Sequence, residues 1–587
     1  FNEEILKSIK FISHYSCNKS SLILKLFLSN FPKKITYSPS QCSYGNFKLN
    51  KKLLLTADQK TAINKLSNIS FKKFNVILLE GVTGSGKTRV YMQKVKEVLD
   101  NDLQCLILVP EIILTSQWVI EIQNDFGLNA TVFHSSISKK ERERIWAESN
   151  SNKVKLIIGT RSALFLPFKS LGLIVVDEEH DGSYKQEEHV ILNARDFSIV
   201  RAKNSNCMII LSSATPSIET YHNATLKKFK VIRLLKRVKD INLPKMNIID
   251  MRKETGVISS QLMKKIKYNL ESKAQTLIFI NKRGYAPFVI CKKCGFSKVC
   301  NNCNTSLVMH NYLKKTGAFL LCHHCNYREN FLNVCPSCKN RGSFDFSGFG
   351  IEKISEIISN MFPTAKICTL SSDTTQSSSK FRKIVSEIVS NKINIIIGTQ
   401  LISKGHNFPF LKTVGIISID NLINDFDFRS FEKTFQQINQ VGGRAGRKEL
   451  QGEVLIQTLQ PHHPIFELSK SQDNLKFVEW ELQSREKNNQ PPYVNYISLI
   501  FTSRNENSLT NFAYSASKEI KNNFANLKIY GPAPAILYKK KTKFRYRLLI
   551  KLDKDNNIQK KIKNYLIKFE TPHDIKLYID VDPLNFI

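Results

Sequence analysis

Eight of the thirteen cysteines fall in one short stretch as four Cys-x-x-Cys pairs: Cys291/Cys294, Cys300/Cys303, Cys322/Cys325 and Cys335/Cys338. Thiolates at that spacing bind zinc, and four such pairs can hold two tetrahedral ions. Two divisions are open. Sequential pairing joins the first four cysteines and the last four; nested pairing joins the inner four and the outer four. Eighteen residues between Cys303 and Cys322 suit a two-knuckle ribbon, whereas five between Cys294 and Cys300 are tight for two knuckles of one site. The spacing favours Cys300, Cys303, Cys322 and Cys325 on one ion, with Cys291, Cys294, Cys335 and Cys338 on the other. All-thiolate sites with no spare position are structural, not catalytic. His310, His323 and His324 lie nearby, but sulfur already fills both sites.

A second constellation handles phosphate. Gly81-Val82-Thr83-Gly84-Ser85-Gly86-Lys87-Thr88 follows the apolar run Val76–Leu79 and opens a helical pattern, the context that gives a P-loop its meaning. Gly81, Gly84, Ser85 and Gly86 let backbone N–H groups cradle phosphate oxygens. Lys87 brings a cation to the β/γ-phosphates of ATP, and the Thr88 hydroxyl takes Mg²⁺. Asp177-Glu178-Glu179-His180 ends the apolar run Leu173–Val176. A carboxylate at a strand's C-terminal end beside a P-loop is where the nucleotide's Mg²⁺ is held. Asp177 is the expected metal-side ligand and Glu178 the expected orienter of the attacking water. Gln59, in Leu55-Thr56-Ala57-Asp58-Gln59, is placed to read the adenine edge, a signal of low specificity by itself.

These groups need elements to hold them. Short apolar strands alternate with amphipathic helix-length segments from about 51 to 235, and again from about 236 to 460, which predicts parallel sheets covered by helices. The cysteine insertion, 288–343, interrupts the second half. Residues 461–587 read as a mixed α+β C-terminal domain for DNA or partner binding. Ahead of the first sheet, Ile5, Ile9 and Ile12, then Leu22, Ile23, Leu26 and Phe27, recur at helical spacing. The chain starts at Phe1, not Met, as a fragment or a shortened reading frame would.

Composition sets bounds. Of 587 residues 42% are hydrophobic, enough for several globular cores, and the net charge is +37. Such an excess attracts a polyanion, above all nucleic acid. AT-biased coding, visible in the abundance of Lys, Asn and Ile, accounts for part of it, so charge alone does not establish DNA binding. No apolar run approaches the roughly 20 residues that span a bilayer. Paired thiol knuckles point to a reducing, cytoplasmic setting. Cys17, Cys42, Cys105, Cys207 and Cys368 are scattered and read as buried or incidental.

Together these parts resemble the superfamily 2 helicases, and within them the bacterial primosomal replication-restart helicases. The residues carrying the resemblance are Pro110-Glu111-Ile112-Ile113-Leu114-Thr115, Gly159-Thr160-Arg161-Ser162-Ala163, the Asp177–His180 box with Tyr184-Lys185-Gln186 and Ala194-Arg195-Asp196, and Ser213-Ala214-Thr215-Pro216-Ser217. In the second half they are Asn281-Lys282-Arg283-Gly284-Tyr285, Gly398-Thr399-Gln400 with Lys404-Gly405-His406, Gln440-Val441-Gly442-Gly443-Arg444-Ala445-Gly446-Arg447, and the ending Asp580-Val581-Asp582-Pro583. The resemblance covers nearly the whole chain. It implies two RecA-like lobes, a two-zinc insertion paired in the nested way, and γ-phosphate contacts from Gln440, Arg444 and Arg447. Arg444 and Arg447 are three apart, so on a helix they share a face.

The resemblance also implies an ATP-dependent 3′-to-5′ DNA helicase that acts on forked and single-stranded DNA at abandoned replication forks and starts primosome assembly. Implied partners are primosome proteins, the machinery that loads the replicative helicase, and single-stranded DNA-binding protein; no membrane is involved. Departures accompany the match. Only about fifty residues precede the first lobe, where relatives usually carry a 3′-end-binding domain and a winged helix, so 1–50 reads as a shortened remnant. His189-Val190-Ile191-Leu192-Asn193 lacks the aromatic and Tyr-His residues usual before Ala-Arg-Asp, and Leu370-Ser371-Ser372-Asp373 replaces a segment that more often has Arg and Asp near its start. The alternatives are a fork-binding scaffold with little or no unwinding and a double-strand translocase. DNA-stimulated ATPase and forked-duplex unwinding assays separate the three.

Overall fold

The computed structural model describes residues 2–32, 55–110, 116–187, 190–238, 242–280, 289–300, 307–310, 319–322, 327–345, 351–370, 378–399, 408–424, 427–446, 451–540 and 542–585. The chain forms two compact units. One comprises Phe1–Lys239, Pro491–Ser503 and Ile550–Leu584; the other comprises Asp240–Gln490, Arg504–Leu549 and Asn585–Ile587.

In the first unit the expected apolar runs are strands: β1 (Asn75–Gly81), β2 (Gln104–Leu108), β3 (Thr131–Phe133), β4 (Leu156–Gly159), β5 (Leu171–Asp177), β8 (Met208–Ser213) and β9 (Lys230–Leu234). The minor strands β6 (Lys185–Gln186) and β7 (Leu192–Asn193) form a separate antiparallel pair. The main sheet is parallel throughout, in the order β3-β4-β2-β5-β8-β1-β9. Helices cover both faces of a parallel sheet, so its strands are apolar without alternation; β2 and β5 are buried at every position. The decisive feature is that β8 separates β5 from β1. Ile210 pairs with Ile77 on one side and Val175 on the other. Groups at the C-terminal ends of β1 and β5 are thus one strand apart.

The N-terminal periodicity corresponds to helices Glu3–Tyr15 and Ser20–Leu28. Ile5, Ile9, Ile12, Ile23 and Phe27 join a core that also contains Trp146, Phe165 and Phe168. The Trp146 indole N–H donates to Phe27 O at 3.0 Å. Leu22 is 42% exposed, so the apolar stripe is narrower than the sequence suggested. Asn495–Ser503 pairs antiparallel with Lys576–Val581 in this same unit.

The second unit has its own parallel sheet. Its strands are β10 (Lys245–Asp250), β11 (Gln275–Ile280), β17 (Ile367–Leu370), β18 (Ile395–Gly398), β19 (Leu411–Ile417) and β20 (Glu453–Thr458), in the order β10-β20-β19-β11-β18-β17. Between β11 and β17 lie the small strands of the cysteine region: β12 (Ile290–Cys291), β13 (Val308–His310), β14 (Phe319–Leu321), β15 (Arg328–Asn330) and β16 (Phe344–Asp345). Val289, Leu307, Leu320 and Phe344 pack there among the cysteines. The architecture is two RecA-like parallel-sheet lobes, a cysteine-rich insertion in the second, and a C-terminal α+β region whose segments are divided between the two units.

Cys17, Cys105 and Cys207 are buried and Cys368 is partly buried, while Cys42 lies outside the described residues. No helix among the described residues is long and apolar enough to cross a membrane.

Candidate nucleotide site and cysteine centre

β1 ends at Gly81 and helix Lys87–Asp100 begins six residues later. The connecting loop needs left-handed backbone at Gly84 (φ +85°) and Gly86 (φ +80°). A Cβ on Gly86 would meet Gln59 Nε2 at 2.3 Å. Lys87 Nζ donates to Gly81 O at 2.9 Å, which holds the ammonium over the loop. Gln59 is fully buried, and both ends of its amide are engaged. Its Oε1 accepts from Thr56 N at 3.0 Å in a capping box, and its Nε2 donates to Ser85 O at 2.8 Å. The structure thus places Gln59 against the P-loop backbone. Ser85 Oγ is buried and makes no hydrogen bond to the described residues.

Asp177 closes β5. Its Oδ1 accepts from Ser212 Oγ (2.8 Å) and from Glu178 N (3.1 Å), and its Oδ2 accepts from the Tyr91 phenol (3.1 Å). Burial and the adjacent Glu178 push the Asp177 carboxyl up to about 6, against the pull of Lys87. Glu178 has φ +48°, a conformation that a non-glycine residue holds at a cost of about 1–3 kcal/mol and that clusters at active sites. Its Oε2 is buried without a hydrogen bond to the described residues; His180 Nδ1 is 3.7 Å away.

The rest of the box is anchored. Glu179 accepts from Ser217 N (2.7 Å), Ser217 Oγ (3.2 Å), Thr220 Oγ1 (3.0 Å) and Arg195 (3.2 Å). His180 Nδ1 lies 2.6 Å from Ser213 Oγ. The acidic box, the Ser213–Ser217 segment and Arg195 therefore form one hydrogen-bonded assembly. Tyr91 and Ser212 were not singled out from the sequence. A signal for Tyr91 existed: it is four residues after Lys87, on the same face of the helix. For Ser212 there was none, because its contact depends on strand order.

One expectation needs correction. Gln440 lies on helix Ser430–Gly442, but that helix ends at Gly442 with Gly443 as its cap, and Gly446 has φ +66°. Arg444 sits in the turn beyond the helix. Arg444 therefore shares no helical face with Gln440, because consecutive glycines end the helix and Gly446 takes the left-handed turn. Arg447 lies outside the described residues, as do Cys303, Cys325, His189, His323, His324, Gln400 and the segments 111–115, 281–285, 371–373 and 404–406.

The outer four cysteines, Cys291, Cys294, Cys335 and Cys338, come together with every sulfur within 4.8 Å of the others. The Cys291–Cys338 and Cys294–Cys335 separations are 3.6 and 3.5 Å. Zn–S bonds near 2.3 Å in a tetrahedron put sulfurs about 3.8 Å apart, so the donor set fits zinc. The two knuckles repeat one backbone pattern. Cys291 N donates to Phe296 O and Cys335 N to Asn340 O, both at 2.9 Å; Gly295 N returns to Cys291 O (2.8 Å) and Lys339 N to Cys335 O (2.9 Å). Gly295 (φ +75°) and Lys339 (φ +59°) make matching left-handed turns. Asn340 donates to Cys338 Sγ at 3.4 Å, and its N–H groups lower that thiol to about 6, favouring thiolate. Cys322 opens the same way, with its N–H donating to Tyr327 O at 2.8 Å, and both Cys300 and Cys322 are buried.

A parallel sheet with a P-loop after β1, an acidic box after β5 and a second such lobe defines the motor core of a nucleotide-driven helicase. Residues 56–224 match the DEAD/DEAH box helicase family and 318–449 the helicase conserved C-terminal domain; 486–584 match the primosomal protein N C-terminal domain. Replication restart protein PriA of Rickettsia conorii is 39% identical over 99% of this chain and 89% of that protein. The Bacillus subtilis protein of that name is 35% identical over 97% and 71%, and the Haemophilus influenzae one 33% over 96% and 78%. The chain belongs to the PriA family of replication restart proteins and is an ATP-dependent DNA helicase, an enzyme class that uses Mg²⁺ with its nucleotide.

Proposed function

We propose that the helicase moves 3′ to 5′ on single-stranded DNA, acts at abandoned replication forks, and starts primosome assembly by receiving primosome proteins, single-stranded DNA-binding protein and the helicase-loading machinery. One observation carries the motor chemistry: the P-loop and the Asp177 box lie one strand apart, bridged by Tyr91 and Ser212.

Gly81, Gly84, Ser85, Gly86 and Lys87 take the phosphates of ATP. Lys87 leaves the Gly81 carbonyl for the β/γ-oxygens, a charge-assisted exchange. Thr88 and Asp177 are the residues that would hold Mg²⁺, which when bound neutralises the phosphate charge. Glu178, with a buried oxygen that makes no hydrogen bond to the described residues, orients the attacking water. Gln59 stays beside the P-loop in the adenine-reading role its position suggests. Gln440, Arg444 and Arg447 stabilise charge on the γ-phosphate.

The outer cysteines hold one zinc ion, and Cys300, Cys303, Cys322 and Cys325 hold a second. Both are structural. The cationic surface implied by +37 grips phosphates without reading sequence. The test pairs DNA-stimulated ATPase with unwinding of duplexes carrying a 3′ or a 5′ tail. Turnover with unwinding only from the 3′-tailed strand is expected; ATPase without unwinding would leave the scaffold or translocase readings.

A further inference from the structure

Lys185 is almost completely buried, and an ammonium in that position needs acceptors for three N–H bonds. Its partners come from one stretch near the C-terminus: Val581 O and Asp582 O accept at 3.0 Å each, and Asp580 Oδ1 lies 2.7 Å away as an ion pair. That stretch is fixed on its other sides. The Asp582 carboxylate accepts from the Tyr15 phenol and from Asn495 Nδ2, each at 2.9 Å, and Asp582 N donates to Tyr496 O at 2.8 Å. Asp582 has φ +50°, a turn that presents its carbonyl and carboxylate in different directions.

On the other side of Lys185 stands the hydrolysis box. The preceding residue, Tyr184, places its phenol against Asp177 O (2.6 Å) and Leu108 O (3.0 Å). Arg161 donates to Lys185 O (2.9 Å) and Ser183 O (3.3 Å). The β6–β7 pair that starts at Lys185 ends at Asn193, which caps the helix carrying Arg195, the partner of Glu179. Lys185 thus joins a segment almost four hundred residues away to a loop that touches Asp177 through Tyr184 and Glu179 through Arg195.

We propose that Lys185 is a positioning residue for ATP hydrolysis: Asp580–Asp582 clamps it, and through Tyr184 the clamp holds the Asp177–Glu178 turn in its working geometry. The C-terminal segment is then part of the motor's hydrolytic apparatus and more than an appended binding region. This rests on the assignment of hydrolysis to Asp177 and Glu178.

The test is steady-state ATPase with and without single-stranded DNA, per folded molecule, for Lys185→Met, Asp580→Asn, the double variant and Glu178→Gln. The double variant leaves no buried carboxylate without its cation, so it decides the case if Lys185→Met does not fold. Expected for Lys185→Met and for the double variant is a KM for ATP within about twofold of the parent and a DNA-stimulated kcat about tenfold lower. Asp580→Asn, which removes the ion pair and keeps the two accepting carbonyls, should fall between these and the parent. A lowered melting temperature with kcat unchanged, or a loss confined to KM, would make the clamp merely structural and overturn the proposal. Full turnover by Glu178→Gln would instead remove the hydrolysis assignment beneath it.

Discussion

Tyr91 and Asp177 are 86 positions apart, and the Tyr91 phenol donates to Asp177 Oδ2 at 3.1 Å. The phenol is fully buried. It links the helix that begins at the P-loop lysine to the first residue of the acidic box. Tyr91→Phe keeps the ring and removes only this link. It should cost about 1–2 kcal/mol of stability, the penalty for a buried acceptor losing its donor, and should slow ATP turnover several-fold. Urea unfolding and kcat check this; a variant equal to the parent in both would show that the bond is incidental.

Lys87→Ala should reduce ATP turnover by at least about 10²-fold, as losing one charge-stabilising donor does. Among the described residues Lys87 Nζ bonds the Gly81 carbonyl, a contact no core packing depends on, so folding and fork binding should persist. Circular dichroism and a fork-binding titration establish those controls. Turnover that survives the substitution removes the P-loop assignment.

The Asp177 carboxyl, raised from 3.8 to about 6, gives a pH signature. A carboxyl whose folded value lies above its unfolded one takes up a proton on folding. Its stabilising contribution is complete below about pH 4 and is lost as pH rises through about 6. Asp177→Asn has no such titration. Without nucleotide it should exceed the parent's stability by about 1–3 kcal/mol at pH 8, with the gain shrinking toward pH 4, while ATPase disappears. Melting curves across that range are the measurement, and a gain that grows on acidification would contradict the sign.

Two zinc ions per chain are expected. Cys335→Ser should remove the outer ion and Cys300→Ser the inner one. Elemental analysis of the purified protein and of each variant reads this directly. One ion in the parent, or both lost from either variant, would contradict two independent structural sites.

Local chemistry was legible without coordinates. The P-loop, the acidic box and the Cys-x-x-Cys pairs depend on spacing within a few residues, and spacing is what a sequence displays. The outer knuckles at Cys291 and Cys335 repeat the same turn because each is a local hydrogen-bonding problem with a local solution. The two parallel sheets were legible for a related reason: strands buried on both faces must be continuously apolar. Helical spacing misled at Arg444, where two glycines end the helix before the pattern does.

What only the tertiary structure decided is which distant groups meet. Ser212 reaches Asp177 because β8 lies between β5 and β1, an order that no strand carries in its own residues. Glu178's left-handed backbone arises where β5 turns into an assembly already tied down by Ser217, Thr220 and Arg195. Lys185 finds its acceptors at Asp580–Asp582 across 396 positions. Sequence alone determined the chemical groups and their immediate turns, since those follow from backbone geometry over a few residues. The pairings between segments follow from packing whole sheets and helices together, and that packing is a property of the entire chain.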